Sequence, residues 1–386
     1  MSKSINIPKL RFKEFSGEWV NTKLGNLGNF QGGGTPATSE DKYWIGNIPW
    51  ISSSDIIEGD IKNIKIHRFI NDISIKESAT KLIAKNSILF VSRVGIGKVA
   101  IANTDLCTSQ DFTNLTLIKD DSYFIGYYFL SKNRLLEKYS QGTSIKGFTM
   151  NDLKTLKLNL PSKQEQEKIA SFLTSVDTKI EQLTKKEELL QQYKKSIMQK
   201  IFNQEIRFKA DDGSEFCDWE EKKLGDILDY IQPTKYLVKD TEYNDSYTIP
   251  VLTAGKTFIL GYTSETDGVF ENNLPVIIFD DFTTANKFVN FPFKAKSSAM
   301  KILIPKNNNN IKFIYEAMQM IKYEVGGHER HWISKFSFLN IFIPCIEEQT
   351  KIANFLSAID TKIEQTQKQL ESSKEFKKAL LQQMFV

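Results

Sequence analysis

Two of the three histidines, His328 and His331, stand in the run GGHERHW (326–332), with Arg330, Trp332 and Lys335 around them. Two imidazoles are half of a metal site, but neither a cysteine nor a third histidine accompanies them. The other readings are a basic, aromatic loop that contacts nucleic acid, or a core role for Trp332 with incidental polar neighbours. Asp280-Asp281, beside a hydrophobic run, would suit a metal-dependent nuclease, yet no E-x-K follows to complete its cluster. The turns GGGTP (32–36) and VGIGK (94–98) match neither G-x-x-x-x-G-K-[ST] nor a full G-x-G-x-x-G opening a helix. Val99 and Ala100 continue a strand after Lys98, so these turns suit a nucleic-acid phosphate better than a free nucleotide. No Pro-Pro occurs in the chain, so the Asn/Asp-Pro-Pro-aromatic motif of a methyltransferase is absent. The chain holds no complete catalytic set.

The elements that position these residues are duplicated. LPSKQEQEKIASFLTSVDTKIEQ from Leu160 aligns without a gap on IPCIEEQTKIANFLSAIDTKIEQ from Ile343, at an offset of 183, with 14 identities in the 22 positions from Pro161 to Gln182. The register persists from KKSIMQKIF at Lys194 to KKALLQQMF at Lys377. A weaker echo opens each half: LRFK at Leu10 with IRFK at Ile206, then Trp19 and KLG at Lys23 with Trp219 and KLG at Lys223. The layout is A–B–A′–B′, with the A segments far more diverged than the B segments.

Each B segment reads as one long helix. In the first, Ile169, Leu173, Val176, Ile180, Leu183, Leu190, Ile197 and Ile201 fall on a strict 4–3 spacing interrupted by Glu187 and Lys194. In the second, Ile352, Leu356, Ile359, Ile363, Leu370, Leu380 and Met384 do so, with Thr366, Ser373 and Lys377 between them. Apolar residues at this period make a narrow seam that a lone helix cannot bury. The two helices are therefore expected to pair; the alternative is that each packs on its own domain. Pro161 and Pro344 stand at the helix entries, where proline is tolerated. The A segments read as mixed α and β: strands around a Gly turn in Asn86–Asn103, a helix in Tyr123–Ser140, strands at Leu274–Phe282 and Ser297–Pro305, and a helix at Ile311–Glu324.

A chain of 386 residues with 40% hydrophobic and 25% charged residues is ordinary globular material of two or three domains. Its three cysteines, Cys107, Cys217 and Cys345, are far apart in sequence and support neither a disulfide scaffold nor a zinc site. The first residues carry no apolar signal region and no run approaches a membrane span, so a cytoplasmic protein is expected. Net charge is +4, but residues 1–161 carry 21 Lys/Arg against 15 Asp/Glu, while 204–285 carry 7 against 17 and 286–344 carry 9 against 3. Such an uneven distribution suits a polyanion on one face, or is chance variation on a solvated surface.

The A–B–A′–B′ layout, the Trp…KLG openings and the P-x-x-x-EQ-x-KIA-x-FL-x-x-x-D-x-KIEQ repeats resemble specificity (S) subunits of type I restriction-modification enzymes. GGGTPATSEDKYWIGNIPWISSSDI (32–56) with SRVGIGKVAI (92–101) resembles a target-recognition pattern of that family, and 204–344 matches it more loosely. The resemblance implies an α+β chain with pseudo-twofold repeat. Target recognition domains occupy 1–161 and 204–344, and spacer helices at 162–203 and 345–386 form an antiparallel coiled coil between them. It further implies a non-catalytic subunit that reads an asymmetric, bipartite site on double-stranded DNA. Two methyltransferase subunits using AdoMet, and restriction/translocase subunits using ATP and Mg, dock on it. The other readings are a coiled-coil adaptor that reads no bases and a single-chain restriction-modification enzyme. Loops rich in Asn, Thr, Ser and Arg address base edges while lysines meet phosphates. The expected contacts are Thr35, Trp44, Asn47, Ser53, Ser54, Arg93, Lys98 and Lys146 in the first domain, and Lys256, Thr283, Asn286, Lys287, Lys296, His328, Arg330 and His331 in the second.

Overall fold

The computed structural model describes residues 6–132, 135–136, 147–255, 257–323 and 330–386. They fall into two compact units, Met1–Thr184 with Lys368–Val386, and Lys185–Gln367. The boundaries lie inside the long helices Lys163–Phe202 and Ile346–Gln383, so each helix contributes to both units.

The two units are built from the same parts. In the first, Val20–Lys23 and Lys157–Leu160 form an antiparallel ladder that brings the start of the unit to the entry of its long helix. Glu220–Lys223 and Asn340–Ile343 do the same in the second. A four-stranded sheet follows in each: Gly28–Gly32, Phe112–Leu117, Ile88–Val91 and Val99–Ile101 in one, Leu228–Ile231, Met300–Pro305, Val276–Asp280 and Asn286–Val289 in the other. A second sheet with one parallel pairing, of four strands in the first unit and three in the second, completes each unit: Trp50–Ile51 run parallel to Cys107–Thr108, and Val251–Leu252 to Lys294–Ala295. Among the central strands, Ile88–Val91 and residues 276–279 are apolar and buried at every position, because both faces are covered.

One helix per unit, Ser122–Ser131 or Ile311–Gln319, is capped by Asp121 or Asn310, whose side chains accept the Phe124 and Phe313 amides at 2.8 and 3.1 Å. Both helices stop short of the sequence expectation, because the amides of Lys132 and Met320 turn back to Phe129 and Ala317 in a tightened final turn.

The repeated motifs explain themselves as one anchor built twice. Arg11 clasps Glu165 with two bonds of 2.8 Å, and the Trp19 indole donates to the same carboxylate at 3.4 Å. Arg207 clasps Glu348 with two bonds of 2.9 Å, joined by Trp219 at 3.1 Å. The neighbouring glutamines tie each helix to its domain. Gln166 accepts from the Asp121 amide and donates to Asp120 and the Pro161 carbonyl; Gln349 accepts from Asn310 and donates to Asn309 and the Pro344 carbonyl. Gly25 and Gly225 are small for packing reasons: a Cβ would stand 2.9 Å from the Lys154 carbonyl oxygen and 3.1 Å from that of Ser337.

The helices run antiparallel within each unit. In the first, Asp177 meets Lys377 at 2.6 Å while Ile169 and Leu173 share a core with Leu380 and Met384. In the second, Lys194 meets Asp360 at 2.7 Å, and Gln367 donates to Glu187 at 2.8 Å. The 183-residue offset converts one Asp–Lys pair into the other. Every position of both 4–3 series is buried or half-buried, including the polar interruptions. The two expectations for the seam are realised together, since seam residues of both helices enter each domain core. Ile169, Leu173, Leu380 and Met384 lie in the core of Trp19 and Phe124, and Ile201, Ile352, Leu356 and Ile359 in that of Trp219 and Phe313.

Candidate nucleic-acid interface

In the first domain the Gly32–Pro36 turn is the hinge of the site. Gly34 donates its amide to the Thr108 carbonyl at 2.8 Å and its carbonyl accepts the Trp50 indole at 2.9 Å. Thr35 donates to the Gln110 side chain, and Arg93 reaches the Gln110 carbonyl at 3.3 Å and Asp111 at 3.4 Å. Thr35 and Arg93, 58 positions apart, therefore meet at one loop, and Arg93 is exposed there. On the other side of the turn, the Trp44 indole donates to Ala37 at 3.2 Å and its ring meets Trp50 edge-on at 5.1 Å. Asn47 and Ser54 are exposed nearby in sequence, before and after the strand Ile48–Ile51. Two of the expected contacts are drawn inward: Ser53 is 8% exposed, and the half-buried Lys98 ammonium donates to the Ile56 and Ser53 carbonyls at 3.1 and 3.4 Å.

The sequence reading missed Arg68. Its guanidinium lies 4.6 Å from the centre of the Trp50 ring, donates to Ser52 at 2.8 Å and pairs with Asp55. With Trp44, His67 and Phe69 it lines a shallow cleft of about 390 Å³. The signal was the HRF run opening the strand Arg68–Ile70, which pairs with Ile48–Trp50; without that register Arg68 is one charge among many.

In the second domain, Asp280 and Asp281 are structural. Asp280 accepts the Phe282 amide and the Thr283 hydroxyl at 2.9 and 2.7 Å, closing the turn that leads to Asn286. Asp281 accepts the Trp332 amide through its carboxylate and the His331 amide through its carbonyl, both at 2.9 Å, and faces Lys301 at 3.5 Å. These bonds bring Thr283, Asn286 and Lys287 to the edge where Arg330 is exposed. Asn286 accepts there from Gln319. His331 must be removed from the contact set: it is fully buried, with its ring 3.2 Å from the Tyr323 hydroxyl, because the short helix His331–Ser334 turns it inward. Trp332 is a core residue, 2% exposed. Lys296 sits apart, its ammonium 5.8 Å from the Tyr243 ring centre. Lys146, Lys256 and His328 lie outside the described residues. Among the described residues no group of three or more His, Cys, Asp or Glu is placed to hold a metal ion, and no helix is long and apolar enough to cross a membrane.

The acid–base behaviour of this domain centres on Glu265 and the buried Lys294. Burial disfavours the Glu265 charge, but the Asp240 amide, Lys294 and the Lys239 amide outweigh it and hold its carboxyl at about 2. The folded value lies below the ordinary one of 4.5, so this stabilisation is fully present above pH 4.5 and is lost as pH falls toward 2. The difference in opening free energy of the second unit between the wild type and Glu265→Gln, read by hydrogen exchange on that unit's peptides and corrected for the intrinsic rate at each pH, is expected to be widest above pH 4.5 and to narrow below it. A constant difference from pH 6 to pH 3 would refute this assignment.

Two mixed α/β domains, each clamped to the first turn of one long helix by the same Arg–Glu–Trp anchor, define a class of duplicated scaffolds. The chain belongs to the family described as the type I restriction modification DNA specificity domain, which it matches at residues 16–191 and again at 217–372. It is 56% identical over 133 residues to the type I restriction enzyme EcoR124I/EcoR124II specificity subunit of Escherichia coli, covering 33% of each chain. It is 33% identical over 224 residues to the MjaIX specificity subunit of Methanocaldococcus jannaschii, covering 55% of this chain and 52% of the relative. These matches thus span one third and about half of the relatives' length. The MjaVIII specificity subunit of the same organism is 25% identical over 408 residues, with 96% and 94% covered. The fold is similar to the crystal structure of a type I restriction-modification S subunit from M. genitalium, with a TM-score of 0.70 at 19% identity over 98% of this chain and 99% of that one.

Proposed function

We propose that this chain is the non-catalytic specificity subunit of a type I restriction-modification complex. Residues 1–161 and 204–344 each read one half of an asymmetric, bipartite site on double-stranded DNA, and the helices at 162–203 and 345–386 set the gap between them. Two methyltransferase subunits and the restriction/translocase subunits dock on this scaffold in the cytoplasm. AdoMet, ATP and Mg are used by those partners. The observation that carries this reading is that the family match occurs twice, on units with a repeated anchor and divergent outer loops. Identical anchors with different readers are what an asymmetric target requires.

The contact edges are Thr35, Arg93, Trp44 and Arg68 in the first domain, and Thr283, Asn286, Lys287 and Arg330 in the second. Arg330, exposed beside a turn of hydroxyl and amide side chains, is assigned to a base edge, and Lys287 to a phosphate. In the assembled complex, Arg330→Ala is expected to cost about 1–3 kcal/mol and relax preference at one base-pair position, while Lys287→Ala weakens all sequences alike and lowers the salt slope by about 1. Binding titrations on a randomised-site library at several salt concentrations check this. Unchanged affinity and preference in both variants would remove this edge from the interface. A wild-type complex without base preference would make the chain an adaptor.

A further inference from the structure

The second unit carries a pair of thiols that the DNA-reading role does not use. Cys217 is exposed and Cys345 half-buried, and both line one cavity of about 560 Å³ together with Asp218, Asn309 and Pro344. Their proximity follows from the fold. Glu220 pairs with Ile343 at the end of an antiparallel ladder, so the two segments leave it side by side, 217–219 on one strand and 344–345 on the other. Arg207 then fastens them: its guanidinium donates to the Cys217 carbonyl at 2.7 Å while clasping Glu348 in the first turn of the helix that starts at Ile346. Cys345 immediately precedes that helix, and its carbonyl accepts the Gln349 amide at 3.0 Å. Burial raises the Cys345 thiol above its ordinary value, the Glu348 amide opposes this, and the neighbouring Cys217 thiol adds to the rise.

The first unit supplies an internal control. Arg11 makes the same contacts with Glu165 and with the Gly17 carbonyl, but Gly17 and Ser162 stand where the second unit has Cys217 and Cys345. The anchor is common to both units; the thiol pair is confined to one. Neither sulfur is needed to build the anchor.

We propose that Cys217 and Cys345 form a thiol-oxidation site that closes to an intramolecular disulfide on exposure to a hydroperoxide. The exposed Cys217 sulfur attacks the peroxide O–O bond, becomes a sulfenic acid and, with hydrogen peroxide as oxidant, releases one water. The Cys345 sulfur then displaces the hydroxyl from Cys217; the S–S bond forms, and the hydroxyl leaves as a second water with the Cys345 proton. The two thiols lose two electrons and two protons, and the peroxide is reduced to two waters. The product ties the lead-in of the second unit's first strand to the start of its long helix. It lets oxidant stiffen one unit and leave the other unchanged. Cys107 takes no part, because it is fully buried and burial pushes its thiol up to about 12.

The test uses the purified full-length chain, treated with hydrogen peroxide under native conditions and then unfolded. Thiol titration is expected to fall from three groups per chain to one, and to return to three after dithiothreitol. Peptide mapping without reductant should recover one linked peptide pair containing Cys217 and Cys345, in an intact mass lower by two hydrogens. Cys217→Ser and Cys345→Ser should each abolish the linked pair while leaving the untreated protein folded by circular dichroism. Over-oxidation of Cys217 to sulfinic acid with no linked peptide overturns the proposal. So does a link to Cys107, a link that forms only between chains and grows with protein concentration, or no oxidation at all.

Discussion

Arg207→Met destabilises the second unit by about 3–5 kcal/mol, and Arg11→Met does the same to the first, because each leaves a buried glutamate without its cation. Glu348 is fully buried and Glu165 is 2% exposed at its side chain. Trp219 and Trp19 each still donate one hydrogen bond, but a neutral indole does not offset a desolvated charge. A lysine at either position restores charge without the two-pronged clasp, so Arg207→Lys recovers part of the loss only. Native-state hydrogen exchange, read separately on peptides from each unit, is the right measurement, since a chain with two compact units has no single unfolding free energy. The expected result is faster exchange confined to the unit that carries the substitution. A loss below about 1 kcal/mol would reduce the clasp to an ordinary surface pair.

The anchors also show why so much of this fold is legible from sequence. Arg11, Trp19, Glu165, Gln166 and Asp177 recur as Arg207, Trp219, Glu348, Gln349 and Asp360 because both units need the same contacts, so the sequence cannot drift there without unmaking one of them. Periodicity likewise marks which face of each long helix is buried. It does not say what covers that face, and Leu173 and Leu356 turn out to be covered partly by domain cores that include Trp19 and Trp219, each over a hundred positions away.

The contact loops are harder to read for a related reason. GGHERHW looks like a polar surface run, yet His331 is taken inside by Tyr323 and Asp281, the latter 50 positions upstream, which no local pattern reveals. Arg68 is the converse: an unremarkable charge until strand pairing stacks it on Trp50.

Lengthening both helices by four residues, after Thr184 and after Gln367, is expected to leave both half-sites unchanged and widen the gap between them by about two base pairs. Those positions are the boundaries of the two units and are equivalent under the 183-residue repeat, so the paired insertion adds a turn to each helix. It leaves the anchors and the Asp–Lys pairs intact, since each lies wholly within one unit. Four residues at ~1.5 Å each add about 6 Å, against ~3.4 Å per base pair. They also turn the helix about 40° beyond a full turn of 3.6 residues. Two base pairs rotate B-DNA about 70° in the same right-handed sense, which leaves a mismatch of about 30° for local twist to absorb. Inserting in one helix alone offsets the seam against its partner and is expected to cost stability, so the single insertions serve as controls. Sequencing the adenines methylated by complexes carrying the paired insertion gives the answer. A folded, active complex that methylates at the original spacing would show that the helices hold the readers together without measuring the distance between their sites.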